Sequence, residues 1–350
     1  MKKPEPTEIE VSIFGPGIGE CCLLHLGDGR WMVIDSCKGQ DRRPIALSYL
    51  EGLGIDPSDA IADVVATHWH DDHIDGVSEV YRTAESATFH CSAALEADEL
   101  FQLVQLQRGA QLEQPAGTDE LTAVFDLIND RKPAYHRSAA TGPELVQHCD
   151  LLVRRNVADK RIQLWGLSPS SADIHRARQA FAALIQPDEA TRKKKIPNPE
   201  PNHTSVVLML EAGDEAILLG ADRETTDDER TGWTSIIDSE QRPRAEAGIY
   251  KVPHHGSPNG DADAIWSDLL RSDAIAAITP YTPSGRPTDD DIVRLKKRTK
   301  NLYCTAPPRG PEPQRIDHKV DKIMERWTEK RSKLNTGMGQ VRIRFDLSHP

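Results

Sequence analysis

"THWHDDHIDG", residues 67–76, sets three histidines and three aspartates within ten positions, directly after the apolar run "IADVVA" (61–66). A short apolar, β-branched run reads as a buried strand. In extended chain, positions i and i+2 point the same way, so His68 and His70 can face one ion. Asp72 and His73 follow where the chain turns into the helix expected over "DDHIDGVSEVYRTA", and the turn can aim them at a neighbouring point. Imidazole nitrogen and carboxylate oxygen are the donors a zinc ion takes, and a catalytic ion keeps one position open for water. One short loop cannot complete such a site, so further ligands must arrive from later strand ends.

Working outward, the candidates sit at strand-to-loop junctions. Asp222 ends "ILLGAD", His254 and His255 follow "YKVP", and His203 precedes the strand "TSVVLMLE". The strands themselves are legible. "EIEVSIF" alternates polar and apolar, and "CCLLHLG" and "RWMVIDS" flank Asp28-Gly29, a hairpin signal. "GDEAILLGAD", "AGIYKVP", "DAIAAITPY" and "GQVRIRFDL" add further strands. Helices are expected over "RPIALSYLEGLGI" and "TDDDIVRLKKRT", the latter acidic at its start and basic at its end as the helix dipole favours. Between about 90 and 200 helical segments dominate: "SAALEADELFQLVQLQ", "GTDELTAVFDLINDR" and "SADIHRARQAFAALIQ", with a strand-like "RIQLWGLSP". The basic run Arg192–Lys195 reads as a solvated loop.

Composition narrows the classes. The chain has 350 residues, 38% apolar and 28% charged, with a formal net charge of −12. That charge opposes broad electrostatic capture of nucleic acid, although bound cations would dominate the field of a metal site. No apolar run reaches the roughly 18 residues of a membrane span, and "MKKPEPTEIE" lacks the apolar core of a secretory signal. We expect a cytoplasmic protein without a membrane partner. Six cysteines (21, 22, 37, 91, 149, 304) form no CxxC pair and read as reduced thiols, with Cys21 and Cys22 on opposite faces of one strand. Isolated histidines at 25, 90, 136, 148, 175, 318 and 349 read as packed or surface imidazoles.

The pattern HxHxDH after an apolar strand, with a strand-end Asp and a strand-end His downstream, resembles the metallo-β-lactamase superfamily. "VIDS" with Asp35 looks like its first motif, "THWHDDH" its second, "LLGADRE" the motif of the metal-bridging Asp, and "KVPHHGS" the last ligand motif. "FGPGIGE", "NHTSVVLMLE" and "VPHHGS" look most like the soluble hydrolase domain of ComEC-type DNA-uptake proteins. The resemblance covers most of the chain, and covers 90–200 poorly. It implies an α/β, four-layer αββα sandwich spanning 1–350 as one domain, with a largely helical insertion at about 90–200. It also implies two divalent metal ions: zinc first, with manganese or iron as alternatives. His68 and His70 would hold one ion; Asp72, His73 and His254 the other; Asp222 would lie between. His255 is the alternative to His254. In "NHTS" either His203 is a ligand, or Asn202 and Ser205 line the site. "SGRPT" puts Arg286 where relatives often carry a histidine. Asn202, Ser205, Ser257 and Arg286 are candidates to bind developing negative charge, and Asp72 to orient the attacking water.

The activity so implied is hydrolysis by a metal-activated water, on a phosphodiester of a nucleic acid or nucleotide. A carboxyl ester, lactone or thioester is the alternative substrate. A non-catalytic protein binding a partner through the 90–200 stretch is the third reading.

Overall fold

The computed structural model describes residues 2–95, 118–131, 143–185, 200–307 and 339–348. Two seven-stranded sheets carry the architecture. The first runs in the order β14 (Gln340–Asp346), β1 (Glu8–Phe14), β2 (Cys21–Leu26), β3 (Trp31–Ile34), β4 (Ile61–Ala66), β5 (Thr88–Ser92) and β6 (Glu144–Val146). The second runs β13 (Leu302–Cys304), β12 (Leu270–Ile278), β11 (Ala247–Lys251), β10 (Glu215–Leu219), β9 (Leu208–Ala212), β8 (Lys160–Gly166) and β7 (Asp150–Val157).

Each sheet begins antiparallel and turns parallel: from β3 through β6 in the first, and from β10 through β13 in the second. Parallel neighbours need crossovers, and the crossovers carry helices on the outer faces. The core is therefore layered. Ile9, Val11, Leu24, Met32 and Val65 of the first sheet meet Ile162, Leu210, Ile217, Leu219 and Ile249 of the second between the sheets. Ile45, Leu50, Val77, Val80 and Val124 cover the outer face of the first sheet. Trp233, Ile236, Ile265 and Leu295 cover that of the second. Burying each such side chain contributes roughly 1.5–3 kcal/mol, so both faces of each sheet hold the four layers together. Cys21 packs outward under the helices and Cys22 inward between the sheets, as strand alternation requires.

The expected helices form at Ile45–Gly52, Thr118–Asp130, Ser171–Ile185 and Asp289–Arg298. The last begins with a capping box in which Thr288 and Asp291 satisfy each other's backbone donors. One expectation changes. The helix after "THWH" breaks into Asp71–Ile74 and Val77–Thr83, because Gly76 adopts a left-handed φ of 87°. The 90–200 stretch supplies the expected strand at "RIQLWGLSP" as β8, and β6 and β7 join the sheets as edge strands. "SAALEADELFQLVQLQ" lies mostly outside the described residues, as do the basic run Arg192–Lys195 and the histidines at 136, 318 and 349. Among the described residues no helix is long and apolar enough to cross a membrane.

Open parallel strands present their C-terminal ends together, and ligands gather there. The ends of β3, β4, β10 and β11 lead into Asp35, His68, Asp222 and His255 respectively.

Candidate metal centre

The loop after β4 is tied down before it offers any side chain. Asp35 accepts from the Thr67 backbone N–H through Oδ1 and from Thr67 Oγ1 through Oδ2, both at 2.8 Å. The same Oδ2 takes His73 Nδ1 at 2.8 Å. Ser36 N–H donates to His73 O at 2.6 Å. Fixing Nδ1 orients the ring and leaves Nε2 as its free face. Asp35 itself holds a left-handed φ of 60°, strain of the kind retained at functional sites. Burial raises its carboxyl, against the opposing pull of His73.

The free faces converge. His68 Nε2 and His70 Nδ1 are 3.2 Å apart, and the His68 and His73 ring centroids are 4.2 Å apart. His73 Nε2 lies 3.2 Å from Asp222 Oδ1 and 3.8 Å from Asp72 Oδ2. His255 Nε2 lies 2.9 Å from Asp72 Oδ2 and 3.6 Å from Asp222 Oδ2. His255 Nδ1 meets Thr279 O at 2.8 Å. Donor atoms of His68, His70 and Asp222 all lie within 4.8 Å of one another, and so do those of Glu20, His73, Asp222 and His255. The cluster thus has two lobes with Asp222 in both; Asp72 faces the Nε2 side of His73 and His255, and Glu20 their Nδ1 side.

These residues fit metal ions. Two nitrogens each about 2.1 Å from one tetrahedral ion stand about 3.4 Å apart, close to what His68 and His70 show. His73 Nε2 and Asp222 Oδ1 are buried without a hydrogen-bond partner, a costly state unless something else binds them. Burial, then the neighbouring imidazoles of His73 and His70, push His68 well below the usual histidine range, which keeps it a neutral donor. Burial also opposes charge on His73, yet Asp222, Glu20, Asp72 and Asp35 raise it well above that range. Despite burial, His73 and His255 hold Asp222 well below the usual carboxylate range. Such a site calls for positive charge, and a divalent ion supplies it by displacing protons.

His254 and His203 stand outside both lobes. His254 and His255 are consecutive left-handed residues, at φ 48° and 52°, and their imidazoles diverge. Of the two, His255, the alternative named from the sequence, joins the converging donor atoms, and His254 Nδ1 lies 3.1 Å from Glu224 Oε1. His203, nearly half exposed, lies 3.4 Å from Glu224 Oε2. Asn202 Nδ2 donates to Glu224 Oε1 at 2.9 Å, leaving Asn202 Oδ1 buried and unpartnered, as is Ser205 Oγ. Val206 N–H bonds Thr67 O at 3.0 Å, which seats this segment beside the metal loop. Ser257, also buried, stands at the N-cap position of the following turn without a side-chain capping bond. Arg286 Nη1 donates to Asp291 Oδ2 at 2.8 Å, which steadies its partly exposed guanidinium.

Three residues that sequence reading did not single out complete the surroundings. Glu20 and Lys251 pair at 2.6 Å behind the ligands. Glu224 gathers Asn202, His203 and His254, which hold its carboxyl far below the usual range against the opposing effect of burial. The available signals were a lysine inside the apolar strand "AGIYKV" and a glutamate two residues past Asp222.

The chain matches the family described as "Metallo-beta-lactamase superfamily" over residues 14–265. Among solved structures it resembles the metallo-beta-lactamase fold protein YhfI from Bacillus subtilis, at 11% identity and TM-score 0.39, covering 85% of this chain and 95% of that one. It also resembles zinc-bound PqqB from Methylobacterium extorquens, at 11% identity and TM-score 0.35, covering 82% and 85%. A subclass B3 metallo-beta-lactamase from a soil metagenome library, MEM-A1, shows 14% identity and TM-score 0.34, covering 85% and 83%. Among curated protein sequences none matches. With 252 of its 350 residues inside the family match (14 through 265), the chain belongs to the metallo-β-lactamase superfamily, whose members are mostly hydrolases that bind divalent metals, typically zinc.

Proposed function

We propose that this protein is a dinuclear metallo-hydrolase acting on a phosphodiester, in a nucleic acid or a nucleotide. The observation that carries the reading is the two-lobed cluster sharing Asp222. His68 and His70 would hold one zinc ion, Asp72, His73 and His255 the other, and Asp222 both. Ions held there would supply a water deprotonated near neutral pH and would neutralise charge on the scissile group.

This chain's own residues do the rest. Asp72, 9% exposed, would orient the attacking water. The Tyr281 ring lies 5.2 Å from that of His255 and walls one side. Asn202, with its amide set by Glu224, and Ser205 keep buried side-chain oxygens without hydrogen-bond partners, and would meet the developing negative charge through their N–H and O–H donors. The phosphodiester preference is supported by the "NHTS" and "VPHHGS" motifs, and by the cation requirement of so acidic a cluster. A cytoplasmic setting is supported by six free cysteines.

The test is turnover of bis-p-nitrophenyl phosphate by zinc- or manganese-loaded protein, beside a p-nitrophenyl ester and a lactone. Phosphodiester turnover by the metal-loaded protein, lost on chelation and in Asp72→Ala, supports the reading. Turnover of the ester or lactone alone overturns the substrate class.

A further inference from the structure

Lys251 ends β11 with its side chain 1% exposed, and its ammonium sits between two carboxylates. Nζ is 2.6 Å from Glu20 Oε1 and 3.8 Å from Asp222 Oδ1. It also donates to Ala221 O at 2.7 Å. Glu20 is itself anchored. Its N–H donates to Asp72 O at 2.8 Å, and its Oε2 accepts from Thr279 Oγ1 at 2.6 Å. Gly19 makes this approach possible, since a Cβ there would stand 2.7 Å from Asp72 O. Asp222 Oδ1, by contrast, is buried and has no hydrogen-bond partner.

We propose that Glu20 is a positioning residue that restrains Lys251, keeping its ammonium off Asp222 so that this carboxylate stays available to the metal ions. The inference rests on the metal-centre reading above. An ammonium and a divalent ion compete for the same carboxylate oxygen. Lysine carries its charge on a flexible four-carbon stem, and a shift of about 1 Å would bring Nζ to charge-assisted bonding distance of Oδ1. Glu20 prevents that shift by holding the ammonium more closely than Asp222 does. Its carboxylate lies behind the ligands, 3.8 Å from His73 Nδ1 and 3.7 Å from His255 Nδ1.

The consequence has a sign that a merely structural role does not share. In Glu20→Gln the ammonium is released toward Asp222, and zinc affinity falls about 10–100-fold, the range for groups that act through a ligand. Removing the competitor as well, in Glu20→Gln/Lys251→Met, restores most of that affinity. Lys251→Met alone keeps zinc binding near wild type. The measurement is zinc affinity by competition with a chromogenic chelator, with metal per chain after dialysis and circular dichroism on the same samples. A double variant as weak as Glu20→Gln, or a Lys251→Met variant that loses zinc as a ligand variant does, overturns the proposal. Wild-type protein that takes up no zinc overturns the metal-centre reading itself, so the two failures are distinguishable.

Discussion

His255 Nε2 stands 2.9 Å from Asp72 Oδ2 across 183 positions of chain. One residue follows β4 in the first sheet and the other follows β11 in the second, so the contact joins the two halves of the sandwich at the cluster. His254, its immediate neighbour, turns instead to Glu224. His255→Ala should therefore lose about one of two bound zinc ions, and His254→Ala should keep both. Metal content by plasma mass spectrometry after dialysis checks this. Equal loss in both variants would mean that the two imidazoles share the role.

Asp35 is expected to act on the metals without touching them. It fixes both the Thr67 backbone and the His73 ring. Asp35→Ala frees His73 to rotate and strands the buried Thr67 N–H, a loss of roughly 1–3 kcal/mol for the unsatisfied donor. Zinc affinity should fall about 10–100-fold, as when other groups that orient a ligand are removed. Urea unfolding of the metal-free protein and zinc competition measure the two effects separately. An Asp35→Ala variant with unchanged zinc affinity would refute the orienting role.

Much of this was legible in the sequence because it rests on local rules. The HxHxDH run follows a strand whose apolar side chains announce it, and strand alternation alone separates Cys21 from Cys22. What was not legible depends on backbone conformation and on partners far along the chain. Nothing in "PHHGS" states which histidine turns inward, since that is set by two successive left-handed residues. The helix break at Gly76 was missed because the apolar periodicity continues across it. The bond from Arg286 to Asp291, which the capping box orders, also depends on the fold, since Arg286 lies outside the helix that Thr288 caps. Glu20 and Lys251 are 231 positions apart, and no local pattern pairs them.

Metal removal should lower the melting temperature as well as abolish turnover. The buried His73 Nε2 and Asp222 Oδ1 face each other at 3.2 Å without a hydrogen bond, and an ion bound by both would link metal binding to folding. Free zinc at a hundredfold excess over its dissociation constant stabilises by about 2.7 kcal/mol per independent site. Differential scanning fluorimetry of chelated protein, titrated with zinc and then manganese, should show a rising, saturable midpoint. A midpoint indifferent to metal would argue that the cluster is held by protons and internal hydrogen bonds.

Asp291 offers a pH test outside the metal ligands. Burial alone would raise its carboxyl, but Thr288, Arg294 and Arg286 bring it down to about 2. In the unfolded chain the group titrates near 3.9. The folded state thus binds fewer protons between those values, and stability rises with pH there. The contribution is fully present above about pH 4 and is lost as pH falls through about 2. A shift from 3.8 to about 2 corresponds to about 2 kcal/mol. Asp291→Asn should therefore be less stable than wild type by about that amount at pH 7, and the gap should narrow as pH drops from 4 toward 2. Urea unfolding of both proteins across that range checks it. A gap that stays constant with pH would assign the loss to helix capping rather than to charge.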